Sequence, residues 1–177
     1  KGTADGNLYQ PDDFSQRLWY PDIVFRKVFQ EENETQLTEK QFGNDFHLLM
    51  SVCHSASEVD ACMTELSKAG MIEQKNIDRL KQCAEAFWAK MEEGNYLLGM
   101  EKTLNEQVLI AGENEAKKPD KVFVKSSEII VIDFKTGKTD QKHMEQIVGY
   151  AKLLEEIFQK PVRCLLYYSA LNQLTEL

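Results

Sequence analysis

Apolar residues recur along this chain first at helical and then at strand spacing. From Glu39 to about Val52, Phe42, Phe46, Leu49 and Met50 repeat as one face of a helix, with His47 beside the stripe. A second helix is predicted from Ser57, which can cap it with Asp60 three residues on, to Gly70, which ends it. A third runs from about Gln74 to Glu92 on Ile77, Leu80, Ala84, Phe87, Trp88 and Met91, and Gly94 closes it. The period then changes. Glu106–Ala111, Lys121–Lys125 and Glu128–Phe134 are short and rich in β-branched residues, with turn formers between them, so each is predicted to be a strand. Helical spacing returns over 139–159 through Met144, Ile147, Ala151, Leu154 and Phe158; Pro161 stops it, and Val162–Tyr168 reads as a last strand. This order predicts an α/β fold, a mixed central sheet flanked by helices, after an N-terminal helical region.

Residues 1–20 carry no sustained period, and Trp19, Tyr20, Ile23, Val24 and Phe25 offer apolar surface that could dock on the main body. Glu31-Glu32-Asn33-Glu34 reads as a solvated connector. The expected organisation is therefore a lead-in over 1–38, packed on a single domain over 39–177.

Composition narrows the class. Of 177 residues, 42% are hydrophobic and 28% charged, a balance that suits a globular domain and argues against wholesale disorder. No apolar run approaches the roughly 20 residues of a membrane span, and no secretory signal opens the chain, so a cytoplasmic protein without a membrane partner is expected. Its first residue, Lys1, is what a piece of a longer polypeptide would show. Cys53, Cys62, Cys83 and Cys164 include no C-x-x-C pair, which points to free thiols rather than a zinc or iron–sulfur site. The net charge of −8 argues by itself against nucleic acid. That charge is uneven. Residues 1–116 hold 11 Lys/Arg and 21 Asp/Glu, whereas 117–160 hold 9 Lys and 7 Asp/Glu, so a mildly basic segment sits inside an acidic chain.

The candidate chemistry lies in that segment, at Lys118-Pro119-Asp120-Lys121-Val122 and Val131-Ile132-Asp133-Phe134-Lys135-Thr136-Gly137. If Ser126-Ser127 is a two-residue hairpin loop, Lys125 pairs with Glu128, and Asp120 then faces Asp133 across the strands. Their Cβ atoms would lie about 4.5–5.5 Å apart, with Lys135 on the same side two residues beyond Asp133. Facing carboxylates repel unless a cation lies between them, and oxygen ligands without sulfur favour magnesium or manganese. A metal there, with a lysine to orient water, is equipment for cutting a phosphodiester bond. The plainer alternative is a pair of surface salt bridges, Asp120–Lys121 and Asp133–Lys135, on an exposed hairpin.

These segments resemble a known family. Gly43-x-x-Phe46-His47, Glu106, the two motifs above and Gln146-x-x-x-Tyr150 follow the order of the PD-(D/E)XK nuclease superfamily, in the RecB/AddA-like form found at the C-terminus of bacterial UvrD/Rep-type helicase–nucleases. The likeness covers about residues 40–170 and implies a restriction-endonuclease-like αβββαβ core. It implies that His47, Asp120, Asp133 and the backbone carbonyl of Phe134 ligate Mg2+ or Mn2+, with Glu106 as an outer or occasional ligand. Lys135 would position the attacking water, while Gln146 and Tyr150, one helical turn apart, would orient Lys135 or contact DNA. The family often has Arg where Lys121 stands and Tyr where Phe134 stands. No iron–sulfur cluster is expected. The activity implied is metal-dependent DNA hydrolysis, exonucleolytic rather than endonucleolytic, by a domain of an ATP-dependent helicase–nuclease in double-strand-break repair and recombination. A helicase in the same polypeptide would deliver the single strand. The alternative is a non-catalytic DNA-guiding or protein-docking module that keeps the nuclease fold. Tyr167 and Tyr168 are read as core and rim of the last strand, and His54 and His143 as surface residues.

Overall fold

The computed structural model describes residues 34–111 and 115–177. Residues 1–33 of the lead-in, with its apolar docking residues and residues 31–33 of the connector, lie outside them. Helix α1 spans Glu34–Val52, so the boundary expected at 38/39 falls inside a helix. Its stripe behaves as predicted: Phe42, Phe46, Leu49 and Met50 are fully buried. Asp45 is buried on the same helix, where it accepts hydrogen bonds from Gln41, the Glu73 amide and Asn76, tying α1 to the turn before the third helix.

Helix α2 spans Val59–Lys68 and α3 spans Ile77–Glu93, each entered through a 3-10 turn, at Ala56–Glu58 and Gln74–Asn76. Ser57 therefore does not cap α2. It lies within the first turn, and its hydroxyl is 3.0 Å from that of Ser55. Gly70 does end α2. It takes φ +66°, which glycine adopts without side-chain strain, and Met71 N–H returns to Leu66 carbonyl oxygen.

Strands follow as β1 (Met100–Asn105), β2 (Leu109–Ala111), β3 (Glu115–Lys117), β4 (Lys121–Lys125) and β5 (Ile129–Lys135). Helix α4 (Gln141–Phe158) leads to β6 (Val162–Tyr168) and β7 (Gln173–Glu176). Among the described residues the main sheet has five strands in the order β1-β4-β5-β6-β7; β5 and β6 run parallel with α4 as their crossover, and the other pairs are antiparallel. The strand predicted over Glu106–Ala111 is corrected. Glu106 takes φ +47° and leaves the sheet, Leu109–Ala111 pairs only with β3, and the strand beside β4 is β1.

Each sheet face carries its own core. Phe123, Ile130, Ile132, Phe134, Leu165 and Tyr167 pack against α1, α2 and α3. Val122, Val124, Ile129, Val131, Leu166 and Tyr168 pack against Ile147, Leu153 and Leu154 of α4. Strands covered on both faces read as continuous apolar runs, and for that reason β5 shows no polar alternation until Asp133. Tyr168 is buried like Tyr167 rather than sitting at a rim. No helix among the described residues is long and apolar enough to cross a membrane.

Phe87 centres the helical-side core, with ring centroids 5.1 Å from Trp88, 5.1 Å from Phe134 and 5.2 Å from Tyr167. Phe87→Ala is expected to lower unfolding free energy in a urea titration by about 3–5 kcal/mol, combining lost transfer energy with a cavity.

Candidate functional site

The β4–β5 hairpin has the expected register. Lys121 pairs with Ile132 and Val122 with Val131, and Lys125 N–H donates to Glu128 carbonyl oxygen at 3.0 Å across the Ser126-Ser127 turn. Asp120 stands one residue before β4, beside the end of β5. Its Oδ2 accepts the Phe134 N–H at 2.7 Å, and its Oδ1 is 3.2 Å from His47 Nδ1. One carboxylate thus ties the strand carrying Asp133 to the helix carrying His47.

Gly43 lets that helix come close. A Cβ there would meet Thr136 Oγ1 at 2.8 Å and Thr136 Cγ2 at 3.0 Å, so a larger residue at this position would push the Thr136 side chain aside. Gly43 and His47 are one turn apart, and both face the end of β5.

Asp133 is 2% exposed, and Lys135 Nζ lies 2.7 Å from its Oδ2. The two side chains form a close, largely buried ion pair. Lys135 Nζ donates to Gln146 Oε1 at 2.9 Å, and Gln146 Nε2 donates to Tyr150 Oη at 2.6 Å. Asp133, Lys135, Gln146 and Tyr150 therefore form one polar chain from the sheet to α4. Asp140 caps that helix by accepting the Lys142 N–H, which fixes its amino end close to the β5 terminus.

The electrostatics follow from burial. Burial, aided by the negative charge of Asp120, pushes the Asp133 carboxyl up to about 6, although Lys135 and His47 pull it the other way. Burial works to lower His47. The hydrogen bond to Asp120 and the charges of Asp120 and Asp133 outweigh it and hold the imidazole above its ordinary value. Each acid thus has its own close partner, the His47 imidazole for Asp120 and the Lys135 ammonium for Asp133.

Glu106 does not join them. Its main-chain N–H bonds the Asp120 carbonyl oxygen at 2.9 Å, but its carboxylate pairs with Lys118 at 2.6 Å. His54 is exposed and 3.2 Å from Asn105 Nδ2; His143 lies 3.2 Å from Tyr168 Oη. The surface salt bridge considered for Asp120–Lys121 is absent, because Lys121 is fully buried and bonds elsewhere. Sequence reasoning missed this residue. The signal was its two-residue offset from Phe123, which gives both side chains the same sheet face.

As a donor set, two carboxylates, an imidazole and the Phe134 carbonyl have the chemistry that suits a hard divalent cation. Among the described residues no three His, Cys, Asp or Glu side chains converge closely enough to hold one as they stand. Asp120 is occupied by His47 and the Phe134 amide. The residues fit a cation in their chemistry, therefore, and would adjust their side chains to bind it.

An acid whose pKa is raised by folding contributes stability that is complete below about pH 4 and lost as pH rises through about 6. Asp133→Asn should therefore be more stable than the parent at pH 8 by about 1–3 kcal/mol in thermal or urea unfolding, and the gap should close toward pH 4. In comparisons with known proteins, the chain matches no family model and no curated protein.

Proposed function

We propose that this chain is a metal-dependent deoxyribonuclease domain with a restriction-endonuclease-like core, resembling the RecB/AddA-like nucleases. The observation that carries the reading is Asp133. Its carboxylate is buried at a strand end, is pushed up to about 6 by burial and by Asp120, and is ion-paired with Lys135. Keeping such a group ionised costs stability, and the surrounding sheet could have been apolar there. Strongly perturbed carboxyls with a specific charged partner mark functional sites.

His47, Asp120, Asp133 and the Phe134 carbonyl would hold Mg2+ or Mn2+, which when bound supplies Lewis-acid stabilisation of charge developing on a phosphoryl oxygen. Lys135 orients the attacking water beside the phosphodiester. Gln146 holds the Lys135 ammonium by the 2.9 Å hydrogen bond, and Tyr150 holds Gln146. Hydrolysis adds that water to phosphorus and breaks one P–O bond, so a preset lysine lowers the orientation cost of the step. Glu106 has no part in this first set while Lys118 holds it.

The substrate is DNA, a single strand delivered by a helicase of the same polypeptide in the cytoplasm, during break repair and recombination. The acidic character outside 117–160 favours such delivery, because phosphate neutralisation supplies most non-specific affinity and a net charge of −8 opposes it.

The test is digestion of linear single- and double-stranded DNA with Mg2+ or Mn2+. Asp133→Ala and Lys135→Ala should each reduce the rate by about 100- to 1,000-fold or more. Gln146→Ala should lose about 10- to 100-fold, as expected for a partner that acts through another side chain. Equal cleavage by the parent and both alanine variants would overturn the assignment. DNA binding without cleavage by the parent would favour the guiding or docking module instead.

A further inference from the structure

Lys121 is the neighbour of Asp120 in sequence, and its ammonium reaches the same helix at its C-terminal end. Helix α1 ends at Val52, which leaves its last carbonyls without partners in the helix. Lys121 Nζ donates to Cys53 carbonyl oxygen at 2.9 Å, and Asn105 Nδ2 donates to Ser51 carbonyl oxygen at 2.8 Å. Lys121 Nζ also donates to Asn105 Oδ1 at 2.7 Å, so the two side chains act as one unit. Trp88 backs the ammonium, its ring centroid 5.5 Å away. A cation at a helix C-terminus is also favoured by the helix dipole.

Ser51 is one turn beyond His47, so this clamp grips α1 directly below the imidazole. Asp120 grips the same helix at His47. Two adjacent residues at the start of one strand therefore hold α1 at two points. A single contact would leave the helix free to slide or roll; two contacts more than a turn apart fix both its axial position and its rotation.

We propose that the Lys121–Asn105 clamp on the C-terminal carbonyls of α1 is the positioning device for the His47–Asp120 contact. Its catalytic consequence rests on the nuclease reading, whereas the geometric claim does not. Neither residue faces Asp133 or Lys135. Lys121 and Asn105 are positioning residues that act through the helix.

The test uses Lys121→Met, which keeps the apolar stem, and Asn105→Ala, which keeps the lysine and is the milder change should the first variant fold poorly. In the folded 177-residue chain, nuclear Overhauser effects report the His47–Phe134 ring contact, with centroids 6.0 Å apart, and the Phe87–Phe134 contact, 5.1 Å apart, as an internal reference. The expected result is a severalfold weaker His47–Phe134 signal in both variants with Phe87–Phe134 unchanged. A role confined to stability would lower the melting temperature and leave both signals intact in the folded protein, and that outcome overturns the proposal. In DNA digestion the same variants should lose about 10- to 100-fold in kcat with little change in KM. The ring signals are read on the protein alone, so they decide the clamp even if the parent cleaves no DNA.

Discussion

The hydrogen bond from Lys125 N–H to the Glu128 carbonyl closes a two-residue turn, and everything at the far end of that hairpin is set by it. A three-residue loop, or a slip by one position, would turn each β5 side chain to the other face. Asp133 and Lys135 would then point into the aromatic core under α3, and Phe134 would point at α4. Because the strands are buried on both sides, neither face tolerates that exchange, so packing and turn geometry enforce the same register. Asp120 is carried to the Phe134 amide by this register, and the carboxylate makes the link permanent by accepting that N–H.

The residues that the register gathers are costly to bury. Burial pushes the Asp133 carboxyl up to about 6 and likewise draws the Lys121 ammonium down to about 8. The two cases differ in what satisfies them. Lys121 donates to a backbone carbonyl and to Asn105, and lies against an aromatic ring, so its polar atom is largely matched. Asp133 has one close cation, Lys135, and a second acid beside it that pushes it higher still. Matched burial is the signature of a group that holds a structure together.

The hairpin, α4 and β6 were legible because their periods are strong and their boundaries carry turn formers. Strand β1 was not. Its sequence, Met-Glu-Lys-Thr-Leu-Asn, lies at the edge of the sheet with only Leu104 buried, so little apolar alternation survives to mark it. The β-branched run beyond it drew the prediction to Glu106–Ala111, yet Val108 and Ile110 are exposed. The acids and Lys135 were found from spacing because antiparallel pairing is arithmetic once a turn is assigned. Neither Asp45 nor Lys121 could be found so simply. A charged residue in an apolar stretch reads as solvent-facing unless its partners are known, and here all but Gln41 come from 16 to 68 residues away.

Helix α1 shows how those distant partners matter more than the charge of the chain. Asp45 anchors it to the α2–α3 connection, Gly43 lets it approach Thr136, His47 meets Asp120, and Lys121 with Asn105 takes its last carbonyls. Apolar packing alone fixes a helix loosely, since dispersion and burial vary slowly as it slides. Directional contacts vary steeply with distance, and α1 has them along three successive turns. The imidazole is therefore held against Asp120 by contacts on both sides of it along the helix as well as by its own hydrogen bond. The net charge of −8 sets how the chain meets a polyanion in solution, but position at the acids is decided by uncharged carbonyls and two buried side chains.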